Sequence, residues 1–217
     1  MPGGFNVARI LLEIACDGVQ DAVLADQGGA DRLELCAALA LDGLTPSLGT
    51  VLEVGERVAA PVIAMLRPRA GNFVWSQAEV AVMERDASLL LESGAGGIAF
   101  GCLTDKGDVD ARACKRLMRA AGRNETVFHP VETVFHRAFD QARDQMAALE
   151  ALADLGVTRV LTSGGARTAL EGVARIRALV EKADGRIEIL PAGGIREHNV
   201  EAVVRQTGCD QVHLSRR

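Results

Sequence analysis

The side chains best suited to chemistry in this 217-residue chain fall at the ends of short apolar runs. Glu13 and Cys16 close ILLEIAC (10–16), and Glu34 and Cys36 close RLELC (32–36). Arg67 and Arg69 end PVIAMLR (61–67) and its continuation, and His136, Arg137 and Asp140 end a TVFH run. Thr162 and Ser163 end TRVLTS (158–163), and His213 and Ser215 end CDQVHL (209–214). A carboxylate in an apolar run is costly to bury unless it is paired, so Glu13 and Glu34 require partners, and Arg67 is the expected one. His136 with Glu34, Glu13 and Asp140 makes a set able to exchange protons as general acid and base.

The same ends can also hold an anion. Arg67-Pro68-Arg69 offers guanidinium forks that match carboxylate or phosphate bidentately, though a rim ion pair would use the same residues. Arg137, Ser163 and His213 add donors. Gly193 and Gly194, in PAGGI, and SGG (163–165) offer backbone N–H groups of the kind that line anion pockets; turn geometry alone also explains adjacent glycines.

A metal is the other possibility. Cys16 and Cys36 end neighbouring runs, and adjacent strands lie roughly 4.8 Å apart, so two thiolates suited to Cu(I) can meet there. Parity opposes the simple version: Glu34 and Cys36 share a face, whereas Glu13 and Cys16, three apart, do not. Only a bend at the end of the first run joins the sulfurs, and inert buried cysteine is the alternative. The chain has no CxxC, HExxH or Cys/His cluster of zinc spacing. Cys102, Cys114 and Cys209 receive no role.

Something must bring these ends together. Eight apolar runs, including also GGIAF (96–100) and RIEILP (186–191), alternate with stretches of helical spacing such as Val80, Met83, Ala87, Leu90 and Leu91. Four of the intervening segments close on a glycine just before the next run, as in ESGAGGIAF and DLGVTRVL, where glycine supplies a left-handed helix C-cap. Strand and helix alternating at this period imply right-handed βαβ units, and eight of them suit an α/β chain folded as a (β/α)8 TIM barrel, whose strand C-termini share one mouth. The first turn, CDGVQDA, lacks the GxGxxG of a doubly wound nucleotide fold, and no nucleotide cofactor is expected. With no linker between the runs, a single domain over 1–217 is expected, with residues 1–9 as an N-terminal tail.

Residues 125–140, ETVFHPVETVFHRAFD, contain TVFH twice. One strand through both would put Pro130 inside a central parallel ladder. If the second copy is the strand, the surplus residues, within 123–132, fall in the loop before it, away from the mouth. That reading puts His136 at the strand's end and leaves His129 a bystander.

The net charge of −5 and 3% aromatic content leave neither a basic stripe nor stacking platforms, which disfavours nucleic acid. The start lacks a secretory h-region and no run approaches a bilayer-spanning length, so no membrane partner is expected. Five cysteines fit a reducing, cytoplasmic setting.

The phrases LLEIAC, GADRLELCAA, GLTPSLG, MLRPRAGNF, FHRAFD, LGVTRVLTSGG, AGGI and VHLS, in order from Leu11 to Ser215, resemble the CutC family of copper homeostasis proteins. The resemblance implies a TIM barrel linked to copper tolerance, with Cu(I) taken by cysteines, here Cys16 and Cys36. It also implies a mouth of Glu13, Glu34, Arg67, His136, Arg137, Asp140, Ser163 and His213 that looks like an enzyme's. Two departures stand out. The family runs from AAG into a single FHRAFD strand, so TVFH here looks like a seven-residue duplication. The family also continues beyond strand eight into a final helix, whereas HLSRR ends this sequence, which raises the expectation of a shortened chain, a shielding homo-oligomeric partner or lowered stability. Three readings follow: Cu(I) binding through the barrel-mouth thiolates, metal-independent acid–base catalysis on a small anionic metabolite, or a non-catalytic remnant.

Overall fold

The computed structural model describes residues 9–122 and 130–215. Its strands are β1 (Leu11–Asp17), β2 (Arg32–Cys36), β3 (Val62–Met65), β4 (Gly97–Phe100), β5 (Glu132–Phe135), β6 (Arg159–Thr162), β7 (Glu188–Pro191) and β8 (Gln211–Leu214). Helices α1 (Val19–Gln27), α2 (Leu48–Gly55), α3 (Gln77–Glu92), α4 (Ala111–Gly122), α5 (Gln145–Asp154), α6 (Val173–Ala183) and α7 (Val200–Thr207) alternate with them. All pairings are parallel, in the order β7-β6-β5-β4-β3-β2-β1-β8. β7 and β8 approach one another, and among the described residues no ladder joins them, so the eight strands form a nearly closed TIM barrel. No described helix is long and apolar enough to cross a membrane.

The expected eight runs all become strands, and local chemistry explains where they begin. Gly94 and Gly156 adopt φ of +98° and +77° just after α3 and α5, a conformation that costs a residue with Cβ. Ser76 and Glu79 form a reciprocal capping box that starts α3. The second TVFH copy supplies β5, paired with β4 from Glu132 to Phe135. Its first copy, with His129, lies outside the described residues.

Strand alternation sorts the side chains into two layers. Leu33, Leu35, Ile98, Phe135 and Val160 face the helices in one large core. Cys36, Ile63, Met65, Ala99, Val134, Leu161, Leu190 and Ala192 form a second, smaller cluster inside the barrel. Below this cluster, at the N-terminal ends of the strands, the interior is charged. Arg32 binds Glu13 through Nε and Gln211 through Nη2, the latter at 2.9 Å. Gln211 donates to Glu188 at 3.0 Å, and Arg159 bonds both Glu188 and Glu132 at 2.7 Å. Glu13 therefore has Arg32 as its partner. The expected one, Arg67, sits elsewhere, because ladder register places Glu13 directly opposite Arg32.

Candidate active site at the barrel mouth

A cavity of about 1070 Å3 opens at the C-terminal ends of the strands. Glu34 and His213 lie at its base, Arg67, Phe73 and His136 on one side, and Arg137, Thr168, Gly193 and Gly194 on the other. Asp42, Arg167 and Arg196 also line it; sequence reasoning missed these, along with Phe73 and Thr168, because they stand in loops rather than at strand ends.

At the base, three buried groups stand in line. Glu13 Oε1 and His213 Nδ1 are 2.7 Å apart, and His213 Nε2 faces Glu34 Oε2 at 3.7 Å. Burial alone would raise the Glu13 pKa, but the hydrogen bond and charge of His213, together with Arg32, outweigh it and hold Glu13 at about 2. Glu13 is thus an ionised acceptor, and His213 Nδ1–H donates to it. Burial lowers His213, yet the charge of Glu34 and the bond to Glu13 prevail and raise it. Glu34 is raised, by burial first and then by the charge of Glu13, despite the opposing His213. Its Oε1 is buried without a hydrogen-bond partner among the described residues.

Arg67 and His136 carry the other orphaned atoms of the mouth. Arg67 Nη1 donates to the carbonyls of Leu41 (2.8 Å) and Gly43 (3.1 Å), and Nη2 to that of Gly71 (3.0 Å). Its guanidinium lies over Phe73 at 5.0 Å, and its Nε has no partner. His136 accepts the Ala138 N–H at Nδ1 (3.1 Å), so its proton sits on Nε2, which is likewise unpartnered. Burial, then the charge of Arg67, pushes its pKa down to about 3. His136 is therefore a neutral hydrogen-bond donor at ordinary pH and does not fit the expected role of proton-exchanging base. Gly101 makes its position possible, since a Cβ there would collide with the imidazole and with Ala138.

Two further expectations are corrected. Asp140, expected to exchange protons, has its oxygens filled. It accepts from Thr162 Oγ1 (2.6 Å), Arg137 Nε (2.8 Å), Gly165 N (3.0 Å) and Ser163 N (3.1 Å). It organises the turn after β6 and, with Ser163 Oγ at 2.7 Å from Nη2, fixes Arg137. Arg69 does not line the cavity. It bonds Glu79 (2.5 Å) and the Val74 carbonyl (2.9 Å) and lies 4.6 Å from the Trp75 ring, which braces the β3–α3 loop. Arg137, pinned yet 43% exposed in its side chain, is a cation that this rim presents in a fixed position, beside Arg167 and Arg196. Gly193 supports it: a Cβ there would stand 3.2 Å from Arg137 Nη1. Gly194, beside Thr168, completes the wall.

The cysteines are not brought together as a two-thiolate pair. Cys16 is in register with Leu35, and Cys36 with Asp17, so they project to opposite faces of the sheet. Cys16 joins the helix-facing core and its thiol points to the Ile14 carbonyl (3.5 Å). Cys36 lies inside the barrel, 3.8 Å from Glu34 Oε2. Burial, foremost, pushes Cys16 up to about 12 and Cys36 well above the ordinary thiol value.

With this geometry in view, similarity decides the family. Residues 10–217 match the CutC family model. The chain belongs to the CutC family. A copper homeostasis protein cutC homolog of Homo sapiens is 44% identical over 207 residues, covering 95% of this chain and 73% of that protein. A family protein CutC of Treponema denticola is 45% identical, with 95% and 81% covered. The crystal structure of the putative copper homeostasis protein CutC from Streptococcus agalactiae superposes with a TM-score of 0.87 at 33% identity, covering 96% of this chain and 99% of that one.

Proposed function

We propose that the CutC barrel mouth of this chain is an enzyme site that performs acid–base chemistry on a small anionic metabolite. The observation that carries the reading is Glu34: a buried carboxyl with an unpartnered oxygen, facing an imidazole fixed by an ionised carboxylate, at the base of a cavity rimmed by arginine. Among the described residues no other carboxyl oxygen is buried without a hydrogen-bond partner. In the mechanism, Arg137 holds the anion at the rim and His136 Nε2–H serves as a neutral donor. Glu34 exchanges a proton with the ligand, and His213 Nε2 relays it while Glu13 keeps the ring in the required tautomer. Burial and the charge of Glu13 raise the Glu34 pKa, which favours the protonated form that can donate.

The test pairs thermal shifts with infrared titration. Small carboxylates and phosphate monoesters should raise Tm in the wild type and much less in Arg137→Ala, and a protonated-carboxyl band should persist above ordinary glutamate pH and vanish in Glu34→Gln. No anion-dependent Tm shift, with Glu34 titrating like free glutamate, would remove the reading.

The family name motivates a second reading, Cu(I) binding through Cys16 and Cys36. It is supported by the electrostatic proximity of the thiols, since Cys16 contributes to the raised pKa of Cys36. As placed, the sulfurs do not form a linear two-thiolate site, and binding requires loss of both protons and a turn of the β1 end. Competition against a Cu(I) chelator, with Cys16→Ser/Cys36→Ser alongside, tests it: tight binding lost in the double variant would establish copper handling, and equal weak binding would end it.

A further inference from the structure

The base of the cavity offers more than a proton position. One ligand atom each from Glu13, Glu34 and His213 lies within 4.8 Å of the other two, all three residues being buried. Glu13 is committed on both sides, through Oε2 to Arg32 and through Oε1 to His213 Nδ1. With Nδ1 bonded to Glu13, the ring turns its Nε2 edge toward Glu34 Oε2. Their separation, 3.7 Å, is too long for a hydrogen bond. The gap between the two buried atoms is spanned by no hydrogen bond, and a metal ion seated there would engage both.

The spacing suits a metal. Two ligand atoms about 2.0–2.1 Å from a tetrahedral zinc ion stand roughly 3.4 Å apart, within a small side-chain adjustment of the separation observed. A carboxylate on the far nitrogen of a ligating histidine is the usual outer-shell arrangement, and it fixes the tautomer that leaves Nε2 free. The unpartnered Oε1 of Glu34, on a side chain only 5% exposed, gives a second oxygen at the same point. Imidazole and carboxylate together favour a borderline first-row divalent ion over the soft Cu(I) that two thiolates would select. Arg32 is the cation facing this group from β2; it is neutralised by Glu13, so the pair Glu34–His213 keeps its attraction for a cation. The remaining coordination positions open toward the cavity, where water or an anionic ligand completes them.

We propose that Glu34 and His213, with Glu13 orienting the imidazole, form a binding site for a borderline divalent cation such as Zn2+ at the base of the barrel mouth. Cys16 faces the helices, away from the site, and Cys36 adjoins it, with Sγ 3.8 Å from Glu34 Oε2, without belonging to the three clustered ligand groups. Insofar as Glu34 is the proton-exchanging group of the proposed function, a bound cation occupies it and turns the site off, so the metal acts as a regulator there.

The experiment is a Zn2+ titration of the purified, reduced protein against a chromogenic chelator. One equivalent should bind. His213→Gln and Glu34→Gln should weaken binding at least tenfold, Glu13→Gln about 10–100-fold as an outer-shell loss, and Cys16→Ser should leave it unchanged. Co2+ substituted into the wild type, which needs no folded variant, should give visible ligand-field bands without sulfur charge-transfer absorption. No stoichiometric binding, equal affinity in His213→Gln and Glu34→Gln, or a strong sulfur band would overturn the proposal. The anion-dependent Tm shift is read separately: if anions bind and Zn2+ does not, the metal site fails and the acid–base reading stands. If Zn2+ binds and no anion does, the site stands without its regulatory role.

Discussion

Two charged layers share the barrel interior, and they are built in opposite ways. In the lower one, Arg32, Gln211, Glu188, Arg159 and Glu132 hydrogen-bond in a chain, with Glu13 closing one end. In the upper one, Glu34, Arg67 and His136 each keep a buried polar atom with no partner among the described residues. A structure at rest leaves few such groups unsatisfied. The lower layer replaces an apolar barrel filling and its groups complete one another, whereas the upper layer leaves polar atoms open, as the proposed ligand site requires.

The sharpest way to break this contrast is to remove a member of the lower layer. Arg32→Ala leaves Glu13 buried with His213 as its remaining partner and should cost about 3–5 kcal/mol, read by urea denaturation; a cost below about 1 kcal/mol would mean that the two layers do not differ. Next comes acid stability. The His136 pKa falls from an unfolded value near 6.5 to about 3, so the unfolded chain takes up this proton first. Stability from this group is fully present above pH 6.5 and declines as pH falls toward 3. His136→Gln should flatten the decline in that window, by a few times 1.36 kcal/mol at most (about one such step per pKa unit). Gly101→Ala should cost about 1–3 kcal/mol by overpacking and displace the His136 ring, visible as a shifted imidazole resonance. Smallest is Glu34→Gln, expected to change stability by less than about 1 kcal/mol, because its contacts to Cys36 Sγ (3.8 Å) and His213 Nε2 (3.7 Å) are long and Oε1 has no partner to lose among the described residues. A loss as large as that of Arg32→Ala would place Glu34 in the lower layer's category.

The strands were legible because glycine caps and apolar runs are local signals, and β5 because proline chemistry is local too. Parity also read correctly across β1 and β2: Glu34 and Cys36 share the interior, and Cys16 faces the helices. What sequence could not supply was register. Glu13 meets Arg32 rather than Arg67 because of how far β2 slides against β1, a quantity set by the whole ring. The alternation Arg32, Glu34, Cys36 already put Arg32 on the inner face, and that signal was available. Asp140 and Arg69 sit beside the mouth in sequence, yet their side chains are spent on loops, a distinction that needs coordinates for the bonding partners. Arg167 and Arg196 carried no positional signal at all.

The seam between β7 and β8 has a consequence in time. Seven of the eight joints of the ring are hydrogen-bonded ladders among the described residues, and at the eighth β7 and β8 approach without one. A stave vessel opens at its weakest joint. The Glu188 and Ala192 amides bond β6 and the Asp210 carbonyl bonds β1, so alternation turns the amides of Ile189 and His213 into the seam; these should trade with deuterium sooner than those between β2 and β3, and the barrel should breathe there first, directly beside Gly193.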